Sequence, residues 1–527
     1  MATSTNHIQD ELLANLGRVT VLTKFGNITG GRTNNGAAAF LEIPYALPPG
    51  RFQDPEPLPN AFRYEEKEYI RESKYAVQPT NDGQAAGLPF EDKVGRGQPT
   101  ENPLFLNIIV PPEFPSKKGF PVKVYIHGGF LQFGSPHGLS SQAQFVSAIR
   151  SEIWVNIGYR LSAFGFLAYD EPKVAGNFGF KDQWLALQWV KENIDAFGGD
   201  IDDIQLTGLS AGAHSVHQIL HHASNLSRGH QAPFNSALLQ SNAILINPKT
   251  PEELRPQFHA LCHALKLDPD DPNVLTTLSD PAQVPASEIT RVIETEKLGV
   301  YGTFRGCLNE DWIPRAPAPM EWQRSGGLAR GLQACGVHSI VIGNLSEEWY
   351  LYSIAHDVPN PEDLAPNLLR YFPEPIVQGM IQRYNKSVHA GNPQRLFGEI
   401  LSCGQVYLPT QILLRDLYNA GFPVARYDIR WTPEKSRTQG YVTHGSDRVL
   451  WALRIPNLTE DERDVASAWL EAVAGIFSSL RNKGAALGVP KVALTLEQDR
   501  QILWKESEGW DQIMSLIDIL PGEESPN

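Results

Sequence analysis

The pentapeptide Gly208-Leu209-Ser210-Ala211-Gly212 places a serine between two glycines, each two residues away. This spacing is typical of a nucleophilic serine on a tight turn between a strand and a helix, because glycines let the chain pass close to itself. The pentapeptide alone is a weak signal, but its surroundings strengthen it. An apolar run at 204–208 predicts a strand before the serine, and 213–222 predicts a helix after it. We therefore predict that Ser210 is a nucleophile.

A second glycine-containing stretch, His127-Gly128-Gly129-Phe130, follows the predicted strand 122–126. Such a loop can direct backbone N–H groups at the negative oxygen of a tetrahedral intermediate. A simple glycine turn is the alternative. Together with the serine turn, the stretch favours the first interpretation.

A serine nucleophile needs a base that takes its proton, and the base needs an acid that orients it. In proteins with this serine turn the acid follows a later strand and the histidine comes last. The predicted strand 339–342 leads into Glu347 and Glu348, and either could serve. The other is expected to be a solvated surface charge.

Three histidines follow these glutamates. His356 is only eight residues beyond Glu348, too close to come from a separate loop. His389 lies in a polar stretch typical of a surface. His444 comes shortly after the predicted strand 424–429, and the chain order makes it the predicted base.

Four histidines lie on the predicted helix after the serine: His214, His217, His221 and His222. His217 and His221 have a spacing that metal sites use, but no HExxH pattern accompanies them. We interpret the four as packing residues. The sequence predicts neither a metal nor an organic cofactor.

Alternating predicted strands and helices indicate a large, mostly parallel sheet flanked by helices, an α/β architecture. An antiparallel hairpin is expected at the N-terminus, over 19–29. Two late helices are predicted, over 461–480 and roughly 496–519. No linker divides the chain, so residues 1–527 are expected to form one domain, with helical, cap-like insertions around 245–335 and 355–400 over the site.

Composition excludes several classes of protein. The 527 residues include 45 basic and 59 acidic side chains, a net charge of −14, which disfavours binding to nucleic acid. No run of about 18 apolar residues is present, so no membrane span is expected. The first residues have no secretory pattern. The four cysteines, at 262, 307, 335 and 403, form no CxxC pair and are expected to be buried free thiols, which favours a cytoplasmic protein.

The sequence resembles the type-B carboxylesterase/lipase family, which includes the cholinesterases. The resemblance covers nearly the whole chain and is carried by several segments together with the serine pentapeptide. These segments are 21–30, Phe40-Leu41-Glu42-Ile43-Pro44-Tyr45-Ala46 with Arg51-Phe52, Leu104-Phe105-Leu106-Asn107, 159–167 and 176–200.

The family resemblance implies an α/β-hydrolase fold and a role for each site residue. It makes Ser210 the nucleophile and His444 the base. It selects Glu348 rather than Glu347 as the acid, because the family's glutamate stands five residues after the loop glycine, here Gly343. The oxyanion donors would be the backbone N–H groups of Gly129, Phe130 and Ala211, with Gly128 supporting the loop.

Departures from the family pattern are informative. Ala76 and Pro103 stand where the family has its N-terminal disulfide. The segment 77–102 has no tryptophan, so a choline ester is not expected. Phe130 replaces the third glycine of the family's loop, and its bulk is expected to disfavour very bulky alcohol groups. In these respects the chain is similar to intracellular fungal members, some of which serve specialised metabolism.

These observations predict a serine carboxylic-ester hydrolase that works through an acyl-enzyme on a small to medium ester, such as a specialised metabolite. The pocket walls are expected from residues 75–100 and 245–335. An acyltransferase or cyclase with the same three residues is one alternative. A non-catalytic binding module is another, although such relatives usually lack one of the three.

Overall fold

The computed structural model describes residues 7–80, 89–384, 387–389 and 391–523. Twelve strands of this part of the chain form one sheet, in the order β1-β2-β3-β8-β10-β9-β11-β12-β13-β14-β15-β16. The remaining four form two small two-stranded sheets, β4-β5 and β6-β7. The strands are β1 (Arg18–Thr23), β2 (Gly26–Arg32), β3 (Ala38–Pro44), β4 (Ala46–Leu47), β5 (Glu56–Pro57), β6 (Lys74–Ala76), β7 (Gln98–Thr100), β8 (Phe105–Val110), β9 (Phe120–Ile126), β10 (Ile153–Ile157), β11 (Gly199–Leu209), β12 (Ser236–Gln240), β13 (Ser339–Leu345), β14 (Val424–Ile429), β15 (Val492–Leu496) and β16 (Ile502–Glu506).

The centre of the large sheet is parallel and its two edges are antiparallel. Strands β10 to β15 pair in parallel in the order given above. The predicted N-terminal hairpin, β1-β2, extends the sheet at one edge, and β16 closes the other. Central strands such as β10 and β13 are buried along their whole length, whereas β1 alternates between buried and exposed positions. Parallel strands covered on both faces require such continuous apolar runs.

The helices of the described residues cover both faces of the sheet and the carboxyl ends of its central strands. They are α1 (Ile8–Ala14), α2 (Phe90–Val94), α3 (Gln144–Arg150), α4 (Ser162–Phe166), α5 (Phe178–Asn193), α6 (Ala211–Ser224), α7 (Arg255–Ala264), α8 (Val274–Ser279), α9 (Ala286–Glu294), α10 (Pro319–Arg324), α11 (Gly327–Ala334), α12 (Trp349–Ser353), α13 (Leu364–Leu368), α14 (Glu374–Tyr384), α15 (Pro393–Ser402), α16 (Leu408–Asn419), α17 (Arg448–Trp451), α18 (Glu460–Lys483) and α19 (Trp510–Met514).

Two apolar layers pack on opposite faces of the sheet, because successive side chains of a strand point to opposite sides. In β12, Ala237 and Leu239 pack into the layer that contains α6, and Leu238 packs into the layer that contains α18. A third apolar cluster joins Ile244 and Leu245 to helices α12–α16. We call residues 245–335 and 349–419 the helical cover.

The predicted late helix over 496–519 is wrong. Strands β15 and β16 pair there as an antiparallel hairpin on the edge of the sheet, and only the short helix α19 follows. Strand β14, distant in sequence, supplies hydrogen-bond partners to β15, and such long-range pairing overrides local helical preference. The other late helix is confirmed as α18, which Thr459 and Glu462 begin with reciprocal capping hydrogen bonds. Within the described residues, no helix combines the length and apolarity that a bilayer crossing requires.

Candidate active site

Ser210 lies on the turn between β11 and α6, with φ 59° and ψ −126°. This left-handed conformation is strained for a residue with a side chain. A Cβ on Gly208 would lie 2.3 Å from the Gly212 carbonyl oxygen, and one on Gly212 would lie 2.0 Å from the Ile126 oxygen. Only glycine fits at both positions. Gly208 is required by the turn itself, and Gly212 by the close approach of strand β9.

Glu348 and His444 come together from two different loops at the carboxyl edge of the sheet. Glu348 follows β13, is fully buried and has one carboxylate oxygen 2.6 Å from His444 Nδ1. Its other oxygen accepts the backbone N–H of Leu345 at 2.9 Å, and Tyr407 Oη accepts the Glu348 N–H at 3.1 Å. A carboxylate at Nδ1 holds a proton there and leaves Nε2 as the free acceptor.

Nε2 of His444 forms no hydrogen bond with any described residue, Ser210 included. The aromatic ring of Tyr352 lies beside His444, with ring centroids 5.0 Å apart, and its hydroxyl lies beside Ser210 and Asn242. Burial, and then the nearby Glu348 carboxylate, raise the pKa of Tyr352 well above its ordinary value, so the phenol is neutral. Tyr352 therefore contacts both His444 and Ser210 as an uncharged group.

The expectation that the second glutamate is a solvated surface charge is wrong. Glu347 is half-buried, and its carboxylate accepts the backbone N–H of Val442 at 2.7 Å. Its own N–H donates to the Val442 carbonyl at 3.1 Å. Glu347 thus fixes the loop that carries His444, a role that depends on two segments far apart in the sequence.

The stretch 128–130 passes directly against the Ser210 turn. A Cβ on Gly128 would lie 2.8 Å from the Leu209 oxygen and 2.9 Å from Ser210 Cβ. Gly129 and Phe130 both have positive φ, 116° and 54°. Within the described residues, the N–H groups of Gly129, Phe130 and Ala211 donate to no protein acceptor. Three backbone donors are thus left available near the serine.

Ser210 opens into a cavity of about 10 Å³, which is close to the space that one water molecule needs. Phe130 and Ala211 line it, whereas Gly129 is not part of its wall. The other lining residues are Leu131, His214, Asn242, Arg305, Tyr352 and Gln405. We call this space the catalytic cavity.

A second cavity, of about 440 Å³, adjoins the catalytic cavity, and the two share His214, Arg305 and Gln405 as lining residues. Apolar side chains from residues 244–246 and 369–373 line much of it. We call it the large cavity. Residues 245–335 contribute to its wall as predicted. The segment 75–100 contributes none of the lining residues described, and its residues 81–88 lie outside the described residues.

The sequence analysis missed Tyr352, Asn242, Arg305 and Gln405. The spacing of four residues between Glu348 and Tyr352 was a usable signal, because it places both on one side of a helical turn. Asn242 follows β12, as Ser210 follows β11, and could have been noticed for that reason. Neither Arg305 nor Gln405 lies in a sequence pattern that would have indicated a site residue.

The other candidate histidines lie apart from the site or are held by packing. His356 Nε2 lies 2.8 Å from Tyr371 Oη, and His389 is half-buried beside Glu399. His217 accepts the N–H of Ile244 at 2.9 Å, and burial lowers its pKa well below the ordinary value. Burial lowers the pKa of His214 to about 3. In the described part of the chain, no group of three histidine, cysteine or acidic residues could hold a metal ion.

The sheet, the strained serine turn and the buried histidine–glutamate pair define an α/β-hydrolase. A family model described as the carboxylesterase family matches residues 18–455, and the chain belongs to that family. The solved structure of a PNB esterase superposes with a TM-score of 0.72 over 94% of this chain and 99% of its own, at 22% identity, and supports the fold.

Relatives of this chain are named as esterases or carboxylic ester hydrolases. An uncharacterised esterase/lipase of Schizosaccharomyces pombe is 29% identical over 78% of this chain and 79% of its own. A carboxylic ester hydrolase of Gibberella moniliformis is 29% identical over 84% of this chain and 85% of its own. The para-nitrobenzyl esterase of Bacillus subtilis is 27% identical over 79% of each. The predicted family and fold are confirmed, and the chain is an enzyme that hydrolyses carboxylic esters.

Proposed function

We propose that the enzyme hydrolyses its ester through a covalent acyl-enzyme on Ser210. The observation that carries the proposal is the 2.6 Å contact between His444 Nδ1 and the buried carboxylate of Glu348, next to a serine on a strained turn. The carboxylate orients the imidazole and stabilises its charged form, while Nε2 remains free to accept a proton.

In the first half-reaction Ser210 Oγ attacks the carbonyl carbon of the ester. The hydroxyl proton passes to His444 Nε2 as the new carbon–oxygen bond forms. The backbone N–H groups of Gly129, Phe130 and Ala211 stabilise the negative oxygen of the tetrahedral intermediate. His444 then returns the proton to the alcohol oxygen, the bond to the alcohol breaks, and the acyl group remains on Ser210.

In the second half-reaction a water molecule gives a proton to His444 and attacks the acyl carbon. Collapse of the second tetrahedral intermediate releases the carboxylic acid and returns the proton to Ser210 Oγ. Ser210 and His444 do not hydrogen-bond in this arrangement. Such catalytic hydrogen bonds often tighten only when the substrate is bound.

We propose a small to medium ester, of the size met in specialised metabolism, as the substrate. The large cavity, at about 440 Å³, lies within the range of sites for small organic ligands and adjoins the catalytic cavity, which Ser210 lines. We also propose that the enzyme works in the cytoplasm. All four cysteines are buried and unpaired, and the family resemblance places Ala76 and Pro103 where the family has its disulfide.

The decisive experiment measures hydrolysis of p-nitrophenyl esters of increasing acyl length by the wild type and by Ser210→Ala. We expect kcat/KM to fall at least about 10⁴-fold in the variant, because removing the nucleophile removes the covalent route. Labelling by a fluorophosphonate should disappear as well. The chain-length profile of the wild type measures the depth of the acyl pocket.

Ser241 offers a matched control. It follows β12 as Ser210 follows β11, is buried and has the same φ of 59°. Ser241→Ala should keep both turnover and labelling. Substantial hydrolysis or labelling in Ser210→Ala would refute the proposal.

A further inference from the structure

Arg305 lies in the helical cover and is the only arginine among the described residues that lines both the catalytic cavity and the large cavity. Its Nη2 donates to Gln405 Oε1 at 2.9 Å, and its guanidinium lies 5.8 Å from the centre of the Tyr371 ring. No carboxylate of the described residues pairs with it. A cation thus stands next to the nucleophile without a counterion.

The groups around Arg305 are uncharged. Burial raises the pKa of both Tyr352 and Tyr371 above the ordinary value, so both phenols are neutral. Burial lowers the pKa of His214 to about 3, and the charge of Arg305 contributes to that lowering. The guanidinium itself stays protonated, since arginine does not lose its proton in proteins.

Among the other buried arginines of the described residues, two form ion pairs. Arg426, Arg448 and Arg454 donate to neutral oxygens without forming one. Arg160 lies 2.6 Å from Asp182, and Arg51 lies 2.5 Å from Glu101. Arg370, which lines the large cavity as Arg305 does, lies 2.8 Å from Glu296. Arg305 differs from Arg426, Arg448 and Arg454 because it lines the cavity that Ser210 opens into. A desolvated charge is costly, and at this position a ligand can supply the missing opposite charge.

The backbone on both sides of Arg305 is held in place. Gln132 donates to the Phe304 carbonyl at 2.6 Å and accepts the Phe304 N–H at 3.3 Å. Asn177 makes the same double contact with Cys307, at 2.9 Å in each direction. The residue that carries the guanidinium is therefore positioned before any ligand binds, which favours binding.

We propose that Arg305 binds a carboxylate group of the substrate, so that the physiological ester is an anion. The guanidinium has donors left beyond the one that Gln405 engages, and a planar fork matches the two oxygens of a carboxylate. Such a substrate is either a half-ester of a dicarboxylic acid or a hydroxy acid whose hydroxyl group is acylated and whose carboxylate is free. The inference deepens the proposed function and rests on it.

Two pairs of esters, each with and without a carboxylate, test the inference. Monomethyl adipate and methyl heptanoate differ in charge on the acyl side. 4-Acetoxybenzoate and p-tolyl acetate differ on the alcohol side. Proton release gives kcat/KM for each with the wild type, Arg305→Gln and Arg305→Lys, and the ratio of wild type to variant cancels differences in intrinsic reactivity.

We expect Arg305→Gln to lower kcat/KM for the charged ester of one pair about 10-fold to 100-fold more than for its neutral partner. The pair affected identifies which half of the ester carries the carboxylate. Arg305→Lys should retain part of the preference. Arg370→Gln is the matched control, since it removes an already paired charge from the same cavity, and it should change both members of each pair equally.

A second readout does not require turnover. Adipate or 4-hydroxybenzoate should slow the labelling of Ser210 by a fluorophosphonate in the wild type and have less effect in Arg305→Gln. Equal losses for charged and neutral esters, together with no protection from labelling, would overturn the inference and assign Arg305 a structural role. If the neutral esters are still hydrolysed in a Ser210-dependent way, the proposed function survives that result. Absence of both turnover and labelling would overturn both.

Discussion

Ser210 and Arg305 line the same catalytic cavity, but they are positioned in different ways. Ser210 follows a central strand of the sheet, and steric contacts of adjacent glycines impose its conformation. Arg305 lies in the helical cover, in a segment held by the side chains of Gln132 and Asn177. Backbone hydrogen bonds of the sheet hold the segment that carries Ser210, whereas individual side-chain hydrogen bonds hold the segment that carries Arg305.

The difference suggests a division of roles, in which the sheet positions the reacting groups and the helical cover determines which esters fit. The proposed nucleophile, acid, base and oxyanion loop all follow central strands, β11, β13, β14 and β9, whose carboxyl ends meet at one edge of the sheet. The side chains that shape the space around them, Tyr352 and Arg305 among them, come from the helical cover. Changes on the sheet side should therefore affect every ester alike, and changes in the cover should affect the ratio between esters.

The largest effect is expected on the sheet side, for Glu348→Gln. A neutral amide cannot stabilise the imidazolium and can present an N–H to Nδ1, which disturbs the tautomer that catalysis needs. We expect kcat/KM for p-nitrophenyl butyrate to fall about 10³-fold to 10⁴-fold, and by a similar factor for every other ester that the wild type accepts.

Glu347→Gln is the control for this prediction. A glutamine oxygen can still accept the Val442 N–H that Glu347 accepts at 2.7 Å. Its activity should stay within a few-fold of the wild type. Equal damage in the two variants would mean that the loop around 444, rather than the Glu348–His444 pair, limits the reaction.

A smaller effect is expected where the oxyanion loop meets the helical cover, for Phe130→Gly. The ring of Phe130 lies 5.9 Å from that of Tyr352 and 6.1 Å from that of Tyr371. Glycine adopts the φ of 54° without strain and keeps the N–H donor. Removing the ring should raise kcat/KM for tert-butyl acetate relative to ethyl acetate about tenfold. An unchanged ratio would show that Phe130 does not limit the size of the alcohol.

The smallest effect on catalysis is expected for Asp447→Asn, which lies on the sheet side close to His444. Burial raises the pKa of Asp447 from its ordinary value to about 6, while one carboxylate oxygen accepts the Trp451 indole N–H at 2.7 Å. The folded state thus binds the proton more tightly than the unfolded state does. The contribution of the protonated Asp447 carboxyl to stability is present below about pH 4 and is lost as the pH rises to about 6.

The asparagine variant cannot ionise and can still accept the indole N–H. At pH 8 its free energy of unfolding should exceed that of the wild type by up to about 3 kcal/mol, and it should unfold at a higher temperature. This difference between variant and wild type should disappear toward pH 4. Thermal unfolding followed by circular dichroism at several pH values measures it. A gap that does not change with pH would contradict the assignment of the shift to Asp447.

Much of the sheet side could be predicted from the sequence, because its signals are local or follow chain order. The glycines around Ser210 and the position of His444 after a strand were sufficient to nominate both residues. The order of the acid and the histidine came from the general pattern for such turns, and the choice of Glu348 came from the family resemblance. The predicted late helix is wrong because β15 pairs with β14, a strand distant in sequence, and no local pattern reveals that pairing.

The sequence by itself therefore determined the serine turn, since it places glycine at 208 and 212, where the close approach of the chain leaves no room for a side chain. It also determined the alternation of strands and helices that brings the site residues to one edge of the sheet. Only the tertiary structure decided that Glu347 fixes the loop of His444, that Tyr352 contacts both His444 and Ser210, and that Arg305 has no carboxylate partner among the described residues. Those properties depend on contacts between segments far apart in the chain, and charge pairing and cavity shape follow from such contacts alone.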